Sequence, residues 1–441
     1  MSNEIMVVLM FVGLLAGLFM GHQLAFVLGG LAAIFGYFGP GLSVFGIIVN
    51  RIYSQMDNYI LLAVPMFILM ARLLSDSGVA ENMFQALRLA LGRVRGGLLL
   101  AVIGISVILA ASTGIIGASV TVMGMLALPA MVRYGYQKEL ATGAIAAGGT
   151  LGILIPPSIM LVILGSYAQL SVGQLFAAAL FPGLLLAGLY AVYVAVVTFL
   201  KPEYGPPVSE AELSEVSVRE IVVMVLKMTI PPLLLIIGVL GSIFTGWATP
   251  TEAAAIGALI TLILVVVYGK FSWRMLQDAV SATARTSSMV LFVVVGAVGF
   301  TGVFIAIDGQ HIVSSYLAGT GLGRWGLFIL MMAIVFVLGM FIDWLGIVLI
   351  CLPIFLPIAN ELGFEPLWFV TMIAVVLQTS FLTPPFGYAL FYLQGVAPSE
   401  INLGHIYRGV VPFVVLIVIG TLLCAMFPGI ITWLPGVIFG S

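Results

Sequence analysis

The sequence predicts an all-α polytopic membrane protein made of two inverted-topology repeats, each with a re-entrant hairpin and a helix broken at a Pro-Pro pair. Three observations lead there. Of 441 residues, 62% are hydrophobic and only 7% charged, against about 25% charged in an ordinary soluble domain. Pro156-Pro157 recurs as Pro384-Pro385, 228 residues further on. A single long polar stretch separates the two occurrences. At about 20 apolar residues per crossing, the chain has material for many spans and little else. This composition excludes a soluble globular protein and a disordered chain. The net charge of -2 offers no surface for nucleic acid.

The offset of 228 also maps Ala25 to Ala253, Gly29 to Gly257, Pro129 to Pro357, Gly135 to Gly363 and Ala146 to Ala374. Prolines and glycines recurring on one offset across half the chain mark a duplication. Residues 1–200 form the first repeat and 229–441 the second. The linker, 201–228, holds Lys201-Pro202-Glu203, Pro206-Pro207, Glu210, Glu212, Glu215, Arg219 and Glu220, a composition that belongs in water.

Each repeat reads alike, in order. Two apolar runs come first, about 5–20 and 24–38, then 230–244 and 251–268. The run from Ile5 follows Glu4 and closes on no small-residue cleavage site, so it reads as a transmembrane helix and not a signal peptide. An amphipathic connector follows (about 42–57; 271–285), then a third span (58–75; 286–306) and a second amphipathic arm (76–95; 308–323). The next run, about 97–131 or 325–358, is too long for one crossing, and its middle is too apolar for a turn in water. It reads as a hairpin of two half-helices whose tip lies at membrane depth, which is tolerated only inside protein or a wet cavity. A span broken at the double proline (139–168; 367–396) and a last helix (175–200; 406–428) close the unit.

Each unit then crosses the bilayer an odd number of times, about five, so the second is inverted. Charge agrees. Alternating the loops between two sides puts thirteen of the fifteen Lys and Arg on one side and leaves Arg51 and Arg324 on the other. Basic loops are cytoplasmic, so the linker lies inside and both termini outside.

The Pro-Pro pairs carry the chemistry. A proline has no N–H, so the carbonyl four residues earlier loses its helical partner. Those carbonyls belong to Gly152 and Ile153, and to Ser380 and Phe381. In hydrocarbon an orphan carbonyl costs a few kcal/mol, about 2 or more. Na⁺, a hard cation, takes oxygen ligands. Thr383 adds a hydroxyl where the first copy has Ile155. Each hairpin tip faces a break. Ser112, Thr113 and Gly114 form one tip, and Gly117 beyond it permits a close helix. Gly339 marks the other, with Asp343 after it. Half-helix N-termini aimed inward suit an anionic substrate between the tips, touching Ser112, Thr113, Gly339, Asp343 and Thr383. Inverted repeats with broken helices imply a secondary transporter with a midplane site.

Other polar residues read as structural. Glu252, in the first turn of its helix, favours an N-terminal charge role. His22, His311 and His405 stand far apart, and Cys351 and Cys424 lie in apolar runs, so neither type specifies a metal site or a disulfide framework. Arg72 and Arg408 read as snorkelling anchors. No protease, hydrolase or clustered-acid motif supports an enzyme.

Three motifs, Thr249-Pro250-Thr251-Glu252-Ala253-Ala254-Ala255, Gly149-Thr150-Leu151-Gly152-Ile153-Leu154-Ile155-Pro156-Pro157-Ser158 and Gln378-Thr379-Ser380-Phe381-Leu382-Thr383-Pro384-Pro385, resemble the large, DctM-like membrane subunit of tripartite ATP-independent periplasmic (TRAP) transporters, in the right order along the whole chain. Gly339 to Trp344 resembles a branch labelled for mannitol or chloroaromatic compounds. The resemblance implies a sodium-driven importer of organic acids in the bacterial inner membrane. It implies a small four-helix membrane subunit and a periplasmic substrate-binding protein as partners. It also implies scaffold and transport domains drawn from both repeats and moving as an elevator. By motif match, sodium falls on Gly339, Ser380, Thr383 and Phe386, and around Ser112, Thr113, Gly114, Gly149, Gly152 and Pro156. Ser380 replaces the Gly of the sialic-acid branch, and Thr113-Gly114-Ile115-Ile116 replaces a serine-rich tip, which argues against sialic acid as substrate. The rival readings are a stand-alone sodium/dicarboxylate symporter of the same superfold and a channel.

Overall fold

The structure, a computed structural model, describes residues 2–113, 116–208 and 217–440. Gly114 and linker residues 209–216 lie outside the described residues, as do the side chains of Ser112 and Thr113. The described chain is helical throughout, with eight stretches long and apolar enough to cross a membrane.

The first half contains α1 (Asn3–Phe19), α2 (Leu24–Phe38), α3 (Ser43–Met56), α4 (Ala63–Asp76), α5 (Val79–Leu91), α6 (Gly97–Thr113), α7 (Ile116–Arg133), α8 (Lys138–Thr150), α9 (Ile159–Ala168) and α10 (Val172–Leu200). The second contains α11 (Val218–Phe244), α12 (Pro250–Val267), α13 (Trp273–Ala306), α14 (Gly309–Gly319), α15 (Arg324–Gly339), α16 (Trp344–Glu361), α17 (Pro366–Val376), α18 (Tyr388–Val396), α19 (Leu403–Met426) and α20 (Gly429–Phe439). The element order recurs on the 228-residue offset, and α7 and α16 coincide at both ends. Gly135 and Gly363, which follow those two helices, take the same left-handed backbone, φ 76° and 74°.

Starts of helices are set by local side chains. Thr249 and Glu252 form a capping box behind Pro250 at the head of α12, and Ser217 with Glu220 does the same for α11. Each box satisfies two of the N–H groups that a helix start leaves without partners. The Glu252 reading therefore holds: its carboxylate accepts from the Thr249 N–H and hydroxyl, both at 2.8 Å. His405 closes a similar box with Asn402.

Two elements depart from the sequence expectation. The connector and third span of the second half are one 34-residue helix, α13. In the first half, Asp57 and Asn58 interrupt the path, and Asn58 caps a 3₁₀ turn through Ile60 N–H at 3.0 Å while reaching Ser166 at 2.8 Å. Arg285 and Thr286 stand at the matching places and simply continue the helix. The second departure is α20, a helix after Pro428 in what reads as a tail.

The halves interlock. α2 packs on α13 and α4 on α12; α8 packs on α19 and α17 on α10; α7 packs on α18 and α16 on α9. Each contact has a mate with the halves exchanged. α8 and α17, the leading parts of the broken helices, lie at the centre: from Leu140 to Thr150 and from Leu367 to Val376 every residue is buried. α11 buries only five residues and presents the rest outward, as expected of a helix apolar all round that faces lipid or a membrane partner.

The α8–α19 seam is backbone on backbone. A Cβ on Gly143 would lie 2.1 Å from the Gly409 carbonyl oxygen, and one on Gly409 would lie 2.2 Å from that of Glu139. Side chains there would force the helices apart, as in small-residue membrane interfaces generally. Gly143→Val should therefore lower stability by about 3 kcal/mol or more, read as a fall in Tm in detergent. Gly188→Val, on α10 with nothing within 4 Å, should leave Tm nearly unchanged.

Candidate functional site

The two hairpins are α6–α7 and α15–α16, and each meets the broken helix of its own half. α8 passes into a 3₁₀ turn, Leu151–Ile153, and α17 into another, Leu377–Phe381. Both Pro-Pro bonds that follow are cis. The helices resume as α9 and α18.

The second junction brings four of the expected residues together. Gly339, the last residue of α15, abuts the break so closely that a Cβ would fall 2.5 Å from that of Ser380. The Phe386 N–H donates to the Met340 carbonyl at 3.3 Å, tying the tip to the far side of the break. Thr383 donates its hydroxyl to the Thr379 carbonyl at 2.7 Å and Ser380 donates to that of Leu377 at 2.5 Å. Both side chains are buried. Their protons spent inward, the two hydroxyl oxygens keep lone pairs to offer. The N–H groups of Leu382 and Thr383 both turn to Thr379, at 3.0 and 2.9 Å. Among the described residues, no donor reaches the carbonyls of Ser380 and Phe381, the two that the prolines release.

The first junction differs. The Ser158 hydroxyl donates to the Ile153 carbonyl and accepts from Leu161 N–H at 3.4 Å. One of the two carbonyls expected to need an ion is therefore satisfied by the chain itself. The reason is local: Ser158 caps α9, so its side chain folds back over the break. Phe386 stands at the matching place in the second copy and has no hydroxyl to return. Gly152 is buried and its carbonyl has no donor among the described residues, since the Ile155 N–H turns to Leu151 at 2.9 Å. Gly149 packs on α7, where a Cβ would meet Val120 at 2.3 Å, which makes it a packing glycine at the edge of the site. Pro156 follows the 3₁₀ turn.

Asp343 is the N-cap residue of α16, yet its side chain makes no capping hydrogen bond. The Phe386 N–H bond to Met340 brings the start of α18 to the head of α16, which puts the phenols of Tyr388 and Tyr392 within electrostatic reach of the carboxylate. Tyr392 in turn lies on Gly117 of the first hairpin, its Cζ 3.0 Å from where a Cβ would be. Gly117 thus does permit a close neighbour, and that neighbour joins the two hairpins. Sequence reasoning missed both tyrosines, because aromatic residues in an apolar run look lipid-facing. The other polar residues stay apart: Arg72 pairs with Asp76 at 3.1 Å, and both cysteines are free and buried.

Two substitutions test this geometry. Gly339→Val should push the hairpin off the break and abolish transport while the protein still inserts, checked by uptake beside membrane yield. Ser158→Ala leaves the buried Ile153 carbonyl without its donor and should cost about 1–3 kcal/mol, measured as a loss of Tm.

Comparison with known proteins agrees with the architecture. The family described as the tripartite ATP-independent periplasmic transporter, DctM component, matches residues 7–430. The C4-dicarboxylate TRAP transporter large permease protein DctM of Pseudomonas aeruginosa is 30% identical over 87% of this chain and 88% of its own. The sialic acid TRAP transporter large permease protein SiaM of Vibrio cholerae is 30% identical over 89% and 90%. A crystal structure of the YdaH transporter of Alcanivorax borkumensis shares the fold, with a TM-score of 0.59 at 15% identity, covering 92% of this chain and 97% of that one. This family is one of transporter permeases that cross the membrane several times, and it implies a small membrane subunit and a periplasmic binding protein as partners. On the match across nearly its whole length, this chain belongs to the DctM family of TRAP transporter large permeases.

Proposed function

We propose that the chain is the large permease of a sodium-coupled importer of a small organic anion in the bacterial inner membrane. It receives its substrate from a periplasmic binding protein and works beside a small four-helix subunit. Both termini lie in the periplasm and the two halves are inverted. The observation that carries this reading is the second junction, where the carbonyls of Ser380 and Phe381 have no donor among the described residues and Gly339 packs against Ser380. Buried oxygens of that kind ask for a hard cation. Thr383 would add its hydroxyl oxygen, whose proton goes to the Thr379 carbonyl. In the first copy, the Gly152 carbonyl with the tip residues Ser112, Thr113 and Gly114 offers a second, less complete set.

Helix direction favours inversion. Along α2 and α13, Ala25 meets Gly296 and Gly36 meets Val303, so the two run parallel. α13 ends where the first copy has α4, which follows α2 after the α3 turn-round. A parallel pairing of α2 with the counterpart of α4 fits opposite orientations of the copies.

The mechanism follows from differential affinity, the only means by which a ligand biases a conformational equilibrium. Sodium at a break draws the oxygens of tip and broken helix together, and this organises the space between the tips for an anion. The loaded core, α6–α9 with α15–α18, then moves against the outer helices. The relatives' names carry C4-dicarboxylate and sialic acid, both organic acids, in keeping with this substrate class.

Uptake in proteoliposomes with both partners present tests the coupling. Replacing sodium by potassium should reduce uptake at least about tenfold; unchanged uptake rejects sodium coupling. Thr383→Val should raise the sodium concentration for half-maximal uptake more than Ser158→Ala, because only the break at Thr383 keeps two released carbonyls without a donor among the described residues. Glu252→Gln, which preserves the capping box, should transport normally.

A further inference from the structure

The duplication supplies an internal comparison for the Asp343 cluster. Ile115 holds the place of Asp343 on the first copy, and Met160 and Leu164 hold those of Tyr388 and Tyr392. Met160 and Leu164 are wholly buried, whereas Tyr388 is 39% and Tyr392 47% exposed. A polar trio thus stands where the same framework elsewhere carries an apolar one. The framework itself accommodates apolar side chains at both tyrosine positions.

Other structural explanations also fall short. Asp343 makes no full capping hydrogen bond from its N-cap position, and only the adjoining Trp344 and Leu345 N–H groups lie beside its carboxylate. It has no ion pair among the described residues, and no basic group bears on it. Two backbone N–H groups without a charged partner leave an ionisable side chain at membrane depth costly. The trio also links the two hairpins through α18: Asp343 opens the return helix of one, and Tyr392 rests on Gly117 of the other. Both tyrosines keep exposed surface for a ligand to meet.

We propose that Asp343, Tyr388 and Tyr392 determine substrate specificity and select organic acids that carry hydroxyl groups. This rests on the reading that the tips hold an organic anion together with sodium. An ionised carboxylate only accepts hydrogen bonds, while a phenol both donates and accepts. Asp343 therefore favours a ligand O–H and repels a bare carboxylate. The acid end of the ligand turns away from Asp343, toward the cation at Ser380 and Thr383 and the donors of Tyr388 and Tyr392. A deoxy analogue leaves Asp343 facing apolar carbon. Sites built to pair with a ligand hydroxyl reject the analogue that lacks it far more strongly than apolar pockets reject a size change.

The test is a thermal-shift titration of the purified full-length chain in sodium buffer with matched acids: malate with succinate, lactate with propionate, gluconate with hexanoate. At least one hydroxy acid should stabilise the chain at a concentration about tenfold below that of its deoxy mate. Asp343→Asn should erase that preference while keeping the unliganded Tm, since Asn keeps an oxygen for the Trp344 and Leu345 N–H groups. Tyr388→Phe and Tyr392→Phe, which keep the rings, should each weaken the hydroxy acid. Equal stabilisation by both members of every pair, or a preference that survives Asp343→Asn, overturns the inference and leaves the anion reading standing. No stabilisation by any acid in sodium overturns both.

Discussion

Backbone polar groups at membrane depth must find partners inside the protein, and that constraint organises this molecule. Two helices are interrupted where prolines remove donors, and each interruption is set at the centre of the fold, sheathed by fully buried segments. Around it lie helices that satisfy their own backbones and can face lipid. The hairpins complete the sheath from both copies. What remains unpaired among the described residues, the carbonyls at the second break above all, is where the proposed sodium would bind.

The two copies solve the same problem differently. In the first, a serine hydroxyl turns back to the break and closes one carbonyl without outside help. In the second, a phenylalanine stands in its place, its N–H bonds across to the hairpin tip, and both released carbonyls stay open. A duplicated framework thus carries one largely self-sufficient junction and one incomplete one. The same asymmetry separates Met160 and Leu164, packed away, from Tyr388 and Tyr392, which stay partly exposed.

Much of this was legible in the chain. Residue spacing alone reveals the duplication, the hairpins, the broken helices and the Thr249–Glu252 cap, because prolines, glycines and capping pairs act locally and leave local signatures. What sequence could not reveal depends on paths through space. The return of Ser158 to Ile153 follows from the turn of the chain after the break. The continuity of α13 depends on Arg285 and Thr286 tolerating a helix that Asp57 and Asn58 stop. The importance of Tyr392 appears only when α18 lies against Gly117 of another hairpin. Ser112, Thr113 and Gly114 carry the clearest tip signal in the first copy, yet lie among the residues whose side chains or placement fall outside the description.

The glycine seam between α8 and α19 has a consequence for biosynthesis. The ribosome delivers α8 more than 250 residues before α19, yet the two backbones touch in the finished protein. Until the late helix is released, the early one sits in lipid with a bare groove along its flank and an interrupted backbone behind it. Maturation is therefore a terminal event, and the insertion machinery or a companion chain must shield the early half while it waits.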